Sequence, residues 1–108
     1  MTDLQWDRNF ALEQAGDDEE VLAELLELFR QSARADLEKI KAGAAGSDPV
    51  AMGEAAHSIK GAAASLGVEA VRVAAYGIEK AGRSGDLAGA MQHLSSLERL
   101  LGQLEAMK

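Results

Sequence analysis

His57 lies in the run Gly53-Glu54-Ala55-Ala56-His57-Ser58-Ile59-Lys60-Gly61-Ala62-Ala63-Ala64-Ser65-Leu66-Gly67. Placed on a helix at ~100° per residue with Ile59 facing inward, Met52, Ala55, Ala56, Ala63 and Leu66 fall within about 60° of that direction. His57 falls about 160° away, on the solvent side. Around it stand Gly53 at i−4, Gly61 at i+4 and Ala64 at i+7, with Lys60 at i+3. A glycine inside a helix costs about 0.5–1 kcal/mol relative to alanine. Two glycines beside one outward imidazole therefore suggest that another molecule must come close to the ring. A neutral imidazole is a good nucleophile near pH 7, because its unperturbed pKa is about 6.5. An ordinary surface histidine in an alanine-rich helix is the plain alternative, and geometry alone leaves both readings open.

The neighbouring segment offers partners. A tight turn at Gly67 makes the flanking helices an antiparallel hairpin. His57 is ten residues before that turn, so its opposite number lies near Gly77–Glu79. Arg72, Tyr76, Glu79 and Arg83 share one stripe there, at steps of four, three and four. A carboxylate at Glu79 could accept a hydrogen bond from one ring nitrogen, fix the tautomer and leave the other nitrogen as nucleophile. Lys60 and Arg83 would then offer positive charge to an incoming anion. The same stripe also reads as a solvated face with i,i+4 ion pairs, each worth a few tenths of a kcal/mol. The residues alone do not choose between the two.

Capping and glycine signals divide the rest into helical blocks. A short segment, Asp7–Ala15, ends at Gly16, with Trp6 and Phe10 as its expected anchors. Asp17 with Glu20 three residues on reads as a capping box. The block 18–42 carries Leu22, Leu25, Leu26, Phe29, Ala33, Leu37 and Ile40 on one side, and ends in a small-residue connector. Asp48-Pro49 reads as the N-cap and first position of the helix bearing His57, which runs to Leu66. A fourth block starts near Val68 and fades around Gly82 and Gly85. Asp86 caps the last, 87–107, where Leu87, Ala90, Leu94, Leu97, Leu101 and Leu104 form a heptad seam. The economical solution is all-α: an antiparallel four-helix bundle with a short additional N-terminal helix, one domain over 1–108.

Composition narrows the function. The 108 residues hold 18 acidic and 11 basic side chains, a net charge of −7 that disfavours nucleic-acid binding. There is no cysteine, which excludes disulfides, thiol catalysis and thiolate metal sites. The opening residues lack the apolar core of a secretion signal, and no apolar run approaches the ~20 residues of a membrane helix. A cytoplasmic protein free of the membrane is expected, with a monomer the simplest state. No glycine-rich nucleotide loop is present, so direct use of ATP is not expected. Glu54-x-x-His57 is half of a di-iron carboxylate motif, but the second half is missing: Ala90 stands three residues before His93, the only other histidine. No metal of its own is therefore expected, and His93 reads as a surface residue. A helical adaptor without chemistry is the other competing reading.

His57-Ser58-Ile59-Lys60-Gly61, followed by Gly67, resembles the H-x-x-K-G-x-x-x-x-x-G signature of histidine-containing phosphotransfer (HPt) domains, the phosphorelay modules of two-component signalling. The resemblance extends to the acidic run before the second helix, Phe29 within it, and Glu79 and Arg83 followed by Gly85-Asp86. It implies a four-helix bundle in which His57 accepts a phosphoryl group from a receiver-domain aspartate and passes it to another. It implies that Lys60 orients the phosphoryl group and the partner, that Gly61 leaves room for the receiver, and that Gly67 ends the helix. Glu79 and Arg83 stand where members carry a polar and a basic residue near the imidazole, positions that vary in the family. The implied partners are response-regulator receivers and a hybrid sensor histidine kinase, with Mg²⁺ on the receiver and none on this chain. The chain would be a stoichiometric carrier rather than a kinase. Residues 1–28 hold nine acidic side chains against Arg8, whereas 60–83 hold four basic against two acidic, an asymmetry that can orient a partner over the second and third helices.

Overall fold

Four aspartates start four of the helices. In the computed structural model, which describes residues 3–107, Asp7, Asp18, Asp48 and Asp86 each accept a hydrogen bond from a backbone N–H of the first turn that follows. The helices are α1 (Arg8–Gln14), α2 (Glu19–Ala45), α3 (Pro49–Ser65), α4 (Glu69–Arg83) and α5 (Leu87–Ala106). Two boundaries differ from the sequence reading. The α2 cap is Asp18, because Asp17 (φ 61°) belongs with Gly16 (φ 67°) to a left-handed reversal after α1. The expected connector continues α2 to Ala45. Gly43 sits inside this last turn, and a Cβ there would lie 2.9 Å from Met52 Cγ, so the glycine lets the start of α3 pack directly against the helix.

Helices α2 to α5 form the antiparallel bundle, with α3 packed against both α2 and α4. Leu22, Leu26, Phe29, Ala33 and Ile40 of α2 meet Met52, Ala56, Ile59 and Ala63 of α3 in the core. Of the expected α5 seam, Ala90, Leu94, Leu97, Leu101 and Leu104 are buried, Leu87 at its start is only partly so, and Leu100 joins it. Leu25 and Leu37 are only partly buried.

The N-terminal segment straps the α3–α4 turn. Trp6 pairs with Val68 as an isolated bridge, and its indole Nε1 donates to the Leu66 carbonyl at 2.9 Å. Asp7 N–H donates to Gly67 O at 2.9 Å, and Ala70 N–H to Leu4 O at 3.0 Å. Trp6 is thus an anchor as expected. Phe10 is 37% exposed but lays its ring against Gly67, where a Cβ would be 3.1 Å from its Cδ2, and Leu4 and Ala11 are fully buried. Gly67 has φ 69°, the left-handed stop that the hairpin requires. Among the described residues no helix is long and apolar enough to cross a membrane.

Candidate functional site

The register of α3 against α4 is set by two glycines. At Gly82 a Cβ would lie 2.4 Å from the Pro49 carbonyl oxygen and 2.9 Å from Gly53 Cα. At Gly53 it would lie 3.3 Å from Glu79 O. Both positions are buried in the helix interface. Gly53 therefore serves the close approach of α4, and the expectation that it clears space for an outside molecule is corrected. Gly61 behaves differently: a Cβ there meets no atom within 4 Å, so its open side faces solvent.

This close approach brings Glu79 under the imidazole. The His57 side chain is 64% exposed, whereas that of Glu79 is 2% exposed. His57 Nδ1 and Glu79 Oε2 are 2.6 Å apart. A carboxylate accepts, so Nδ1 carries a proton, and in the neutral imidazole the other ring nitrogen, Nε2, holds the lone pair. Oε2 also accepts from the Arg83 guanidinium at 2.6 Å. Lys60 Nζ stands 2.7 Å from Oε1 as an ion pair. The Lys60 ammonium foremost, then the His57 hydrogen bond and the Arg83 charge, hold the Glu79 carboxyl below its ordinary pKa against the opposing effect of burial. The buried anion is thus paired, as a charge so placed must be.

Residues 57, 60, 79 and 83 therefore converge, at the level the hairpin register predicts. Two details depart from the sequence reading. Glu79 faces the bundle rather than a solvated stripe, because Ala75 and Gly82 on either side of it are small and buried. Lys60 and Arg83 are bound to Glu79 instead of standing free for an anion. Arg72 takes no part, being paired with Glu69 at 2.6 Å. His93 is exposed, as expected, but its ring lies over Gly77, where a Cβ would be 2.6 Å from Cγ.

One concave surface adjoins His57, and a second lies further along α3 toward its C-terminal end. Between α3 and α4, a cleft of about 400 Å³ is lined by Val50, Gly53, Glu54, His57, Glu79, Gly82 and Arg83. Between α2 and α3, a shallower groove of about 320 Å³ is lined by Gln14, Leu25, Leu28, Phe29, Ser32, Ala62, Ser65 and Leu66. Leu28 is 61% exposed in it. The sequence reading missed Leu28 and the cleft residues Val50 and Gly82. Among the described residues no group of three or more His, Asp or Glu side chains is arranged to hold a metal ion.

The model of the family described as the Hpt domain matches residues 24–107. Comparison with curated proteins finds no match. The fold is similar to the crystal structure of histidine-containing phosphotransfer protein B from Pseudomonas aeruginosa PAO1, with a TM-score of 0.88 and 21% identity over 98% of this chain and 92% of that one.

Proposed function

The chain belongs to the Hpt domain family, whose work is histidine phosphotransfer in phosphorelay signalling, and from that premise we propose that His57 Nε2 is the atom that carries the phosphoryl group. The observation that supports this is the pairing of an exposed imidazole with a buried carboxylate through Nδ1. It leaves Nε2 as the one basic ring nitrogen, turned outward, where a partner can reach it.

In the proposed step the Nε2 lone pair attacks the phosphorus of a receiver's aspartyl phosphate. The P–O bond to the aspartate breaks and the aspartate leaves as a carboxylate. Nδ1 keeps its proton, and the positive charge that develops on the ring faces Glu79. Onward transfer is the reverse reaction with a second receiver. Such transfers depend on positioning and charge neutralisation more than on covalent machinery. Lys60 and Arg83, gathered on Glu79, supply cations near the place the phosphoryl oxygens occupy. Gly61 leaves the space through which the receiver approaches. The α2–α3 groove with Leu28, further along α3 from His57, gives the receiver an apolar seat.

The Mg²⁺ in this scheme belongs to the receiver, and the chain acts as a stoichiometric carrier, as a monomer. The partners proposed are response-regulator receivers and a hybrid sensor kinase, which put the exchange in the cytoplasm. The test is label transfer from several phosphorylated receiver domains to the wild type and to His57→Gln. Acid-labile, base-stable label on the wild type and none on the variant is expected. Label that persists in His57→Gln moves the site elsewhere, and no label from any receiver favours a binding adaptor.

A further inference from the structure

Lys60 is less free than a surface lysine ordinarily is. Its side chain is 25% exposed, and its ammonium sits 2.7 Å from Glu79 Oε1 and 5.4 Å from the centroid of the Tyr76 ring. Tyr76 precedes Glu79 by three residues on α4, so ring and carboxylate rise side by side from one face of the helix. Glu79 Oε1 anchors the ammonium on one side. An aromatic face attracts a cation within about 6 Å of its centroid through its quadrupole. Tyr76 therefore supplies a second wall for a flexible side chain that Glu79 holds on one side only. Its hydroxyl makes no hydrogen bond among the described residues, so the ring face is the part in use.

We propose that Tyr76 is a positioning residue for phosphotransfer: its ring holds the Lys60 ammonium beside Glu79, ready for the phosphoryl group on His57. This rests on the reading of His57 as the phosphoryl carrier. Lys60 then needs only a short swing to meet the new charge. Without the ring, the ammonium is held on the Glu79 side alone, and its direction is less restricted before each transfer.

The test is single-turnover transfer from a phosphorylated receiver domain to the wild type, Tyr76→Leu, Tyr76→Phe, Lys60→Met and the Lys60→Met/Tyr76→Leu double variant. Tyr76→Leu is expected to slow transfer about two- to fivefold, the size of an exposed cation–π contact. Tyr76→Phe restores the rate, and Tyr76→Leu has no further effect once Lys60 is methionine. An unchanged rate in Tyr76→Leu, or the same slowing in the Lys60→Met background, overturns the proposal. The latter result would make Tyr76 a partner contact or a packing residue. A second readout needs no transfer: the Lys60 ε-methylene protons should show an upfield ring-current shift, lost in Tyr76→Leu and kept in Tyr76→Phe. Absence of that shift in the wild type overturns the holding role by itself. No label on wild-type His57 overturns the phosphotransfer reading instead, and the proton shift still reports whether the ring holds Lys60.

Discussion

Replacing Gly61 by alanine separates two reasons for which a glycine could follow His57 by one turn. Inside the chain the methyl group is harmless, since a Cβ at this position meets no atom within 4 Å. Gly61 is exposed in the interior of α3, where alanine is favoured by about 0.5–1 kcal/mol. An unfolding entropy of about 2.1 cal/mol/K per residue makes this a rise in Tm of about 2–4 °C for a chain this long. The same methyl group stands where the receiver is proposed to close on the imidazole. Overpacking a close interface by one methyl costs about 1–3 kcal/mol, which corresponds to transfer slowed about 5- to 150-fold. Thermal unfolding and single-turnover transfer on the same preparation measure both effects. A more stable protein that transfers poorly is expected. A more stable protein that transfers normally refutes the steric role of Gly61, and a destabilised one refutes the reading that its open side faces only solvent.

Three further perturbations probe the frame beneath His57. Glu79→Gln removes the anion shared by Lys60, His57 and Arg83, and should cost about 1–3 kcal/mol at neutral pH. Because the folded carboxyl titrates below its ordinary value, the stabilisation is complete above about pH 4.3 and is lost as pH falls through the folded pKa. Urea titrations should show the gap between wild type and Glu79→Gln closing on acidification, and a gap independent of pH would contradict this. Gly82→Ala drives a Cβ onto the Pro49 carbonyl and should destabilise by about 1–3 kcal/mol or more while drawing Glu79 away from His57. Normal stability in that variant would show that α3 and α4 do not need the glycine contact. Asp36 is buried in α2, with Oδ2 lacking a hydrogen-bond partner among the described residues. Asp36→Ala should therefore stabilise by about 1 kcal/mol, and a fall in Tm would reveal a partner for the carboxylate.

The site was legible in the sequence where simple periodicity governs it. The angle between Ile59 and His57 depends only on helical pitch, and the imidazole does face outward. The level of Glu79 follows from counting residues either side of Gly67, and the hydrogen bond lies at that level. Burial of Glu79 was not legible in the same way. It depends on the roll of α4 about its own axis, which the Gly53–Gly82 approach sets from outside the helix. Ala75, Glu79 and Gly82, at steps of four and three, were the available signal: a carboxylate between two small residues on one face. Gly53 misled because a collar of small residues looks alike whether it admits a partner molecule or a neighbouring helix. The boundary at Asp17 failed because two adjacent aspartates are equivalent in composition, and only the left-handed φ of the first makes the second the cap.

The account rests on one nitrogen atom. NMR of the phosphorylated protein, with the histidine rings labelled with ¹⁵N, identifies the phosphorylated residue and which of its ring nitrogens bears phosphorus. The account predicts phosphorus on Nε2 of His57, with the Nδ1 proton still present and hydrogen-bonded to Glu79. Phosphorus on Nδ1, or on His93, would contradict it.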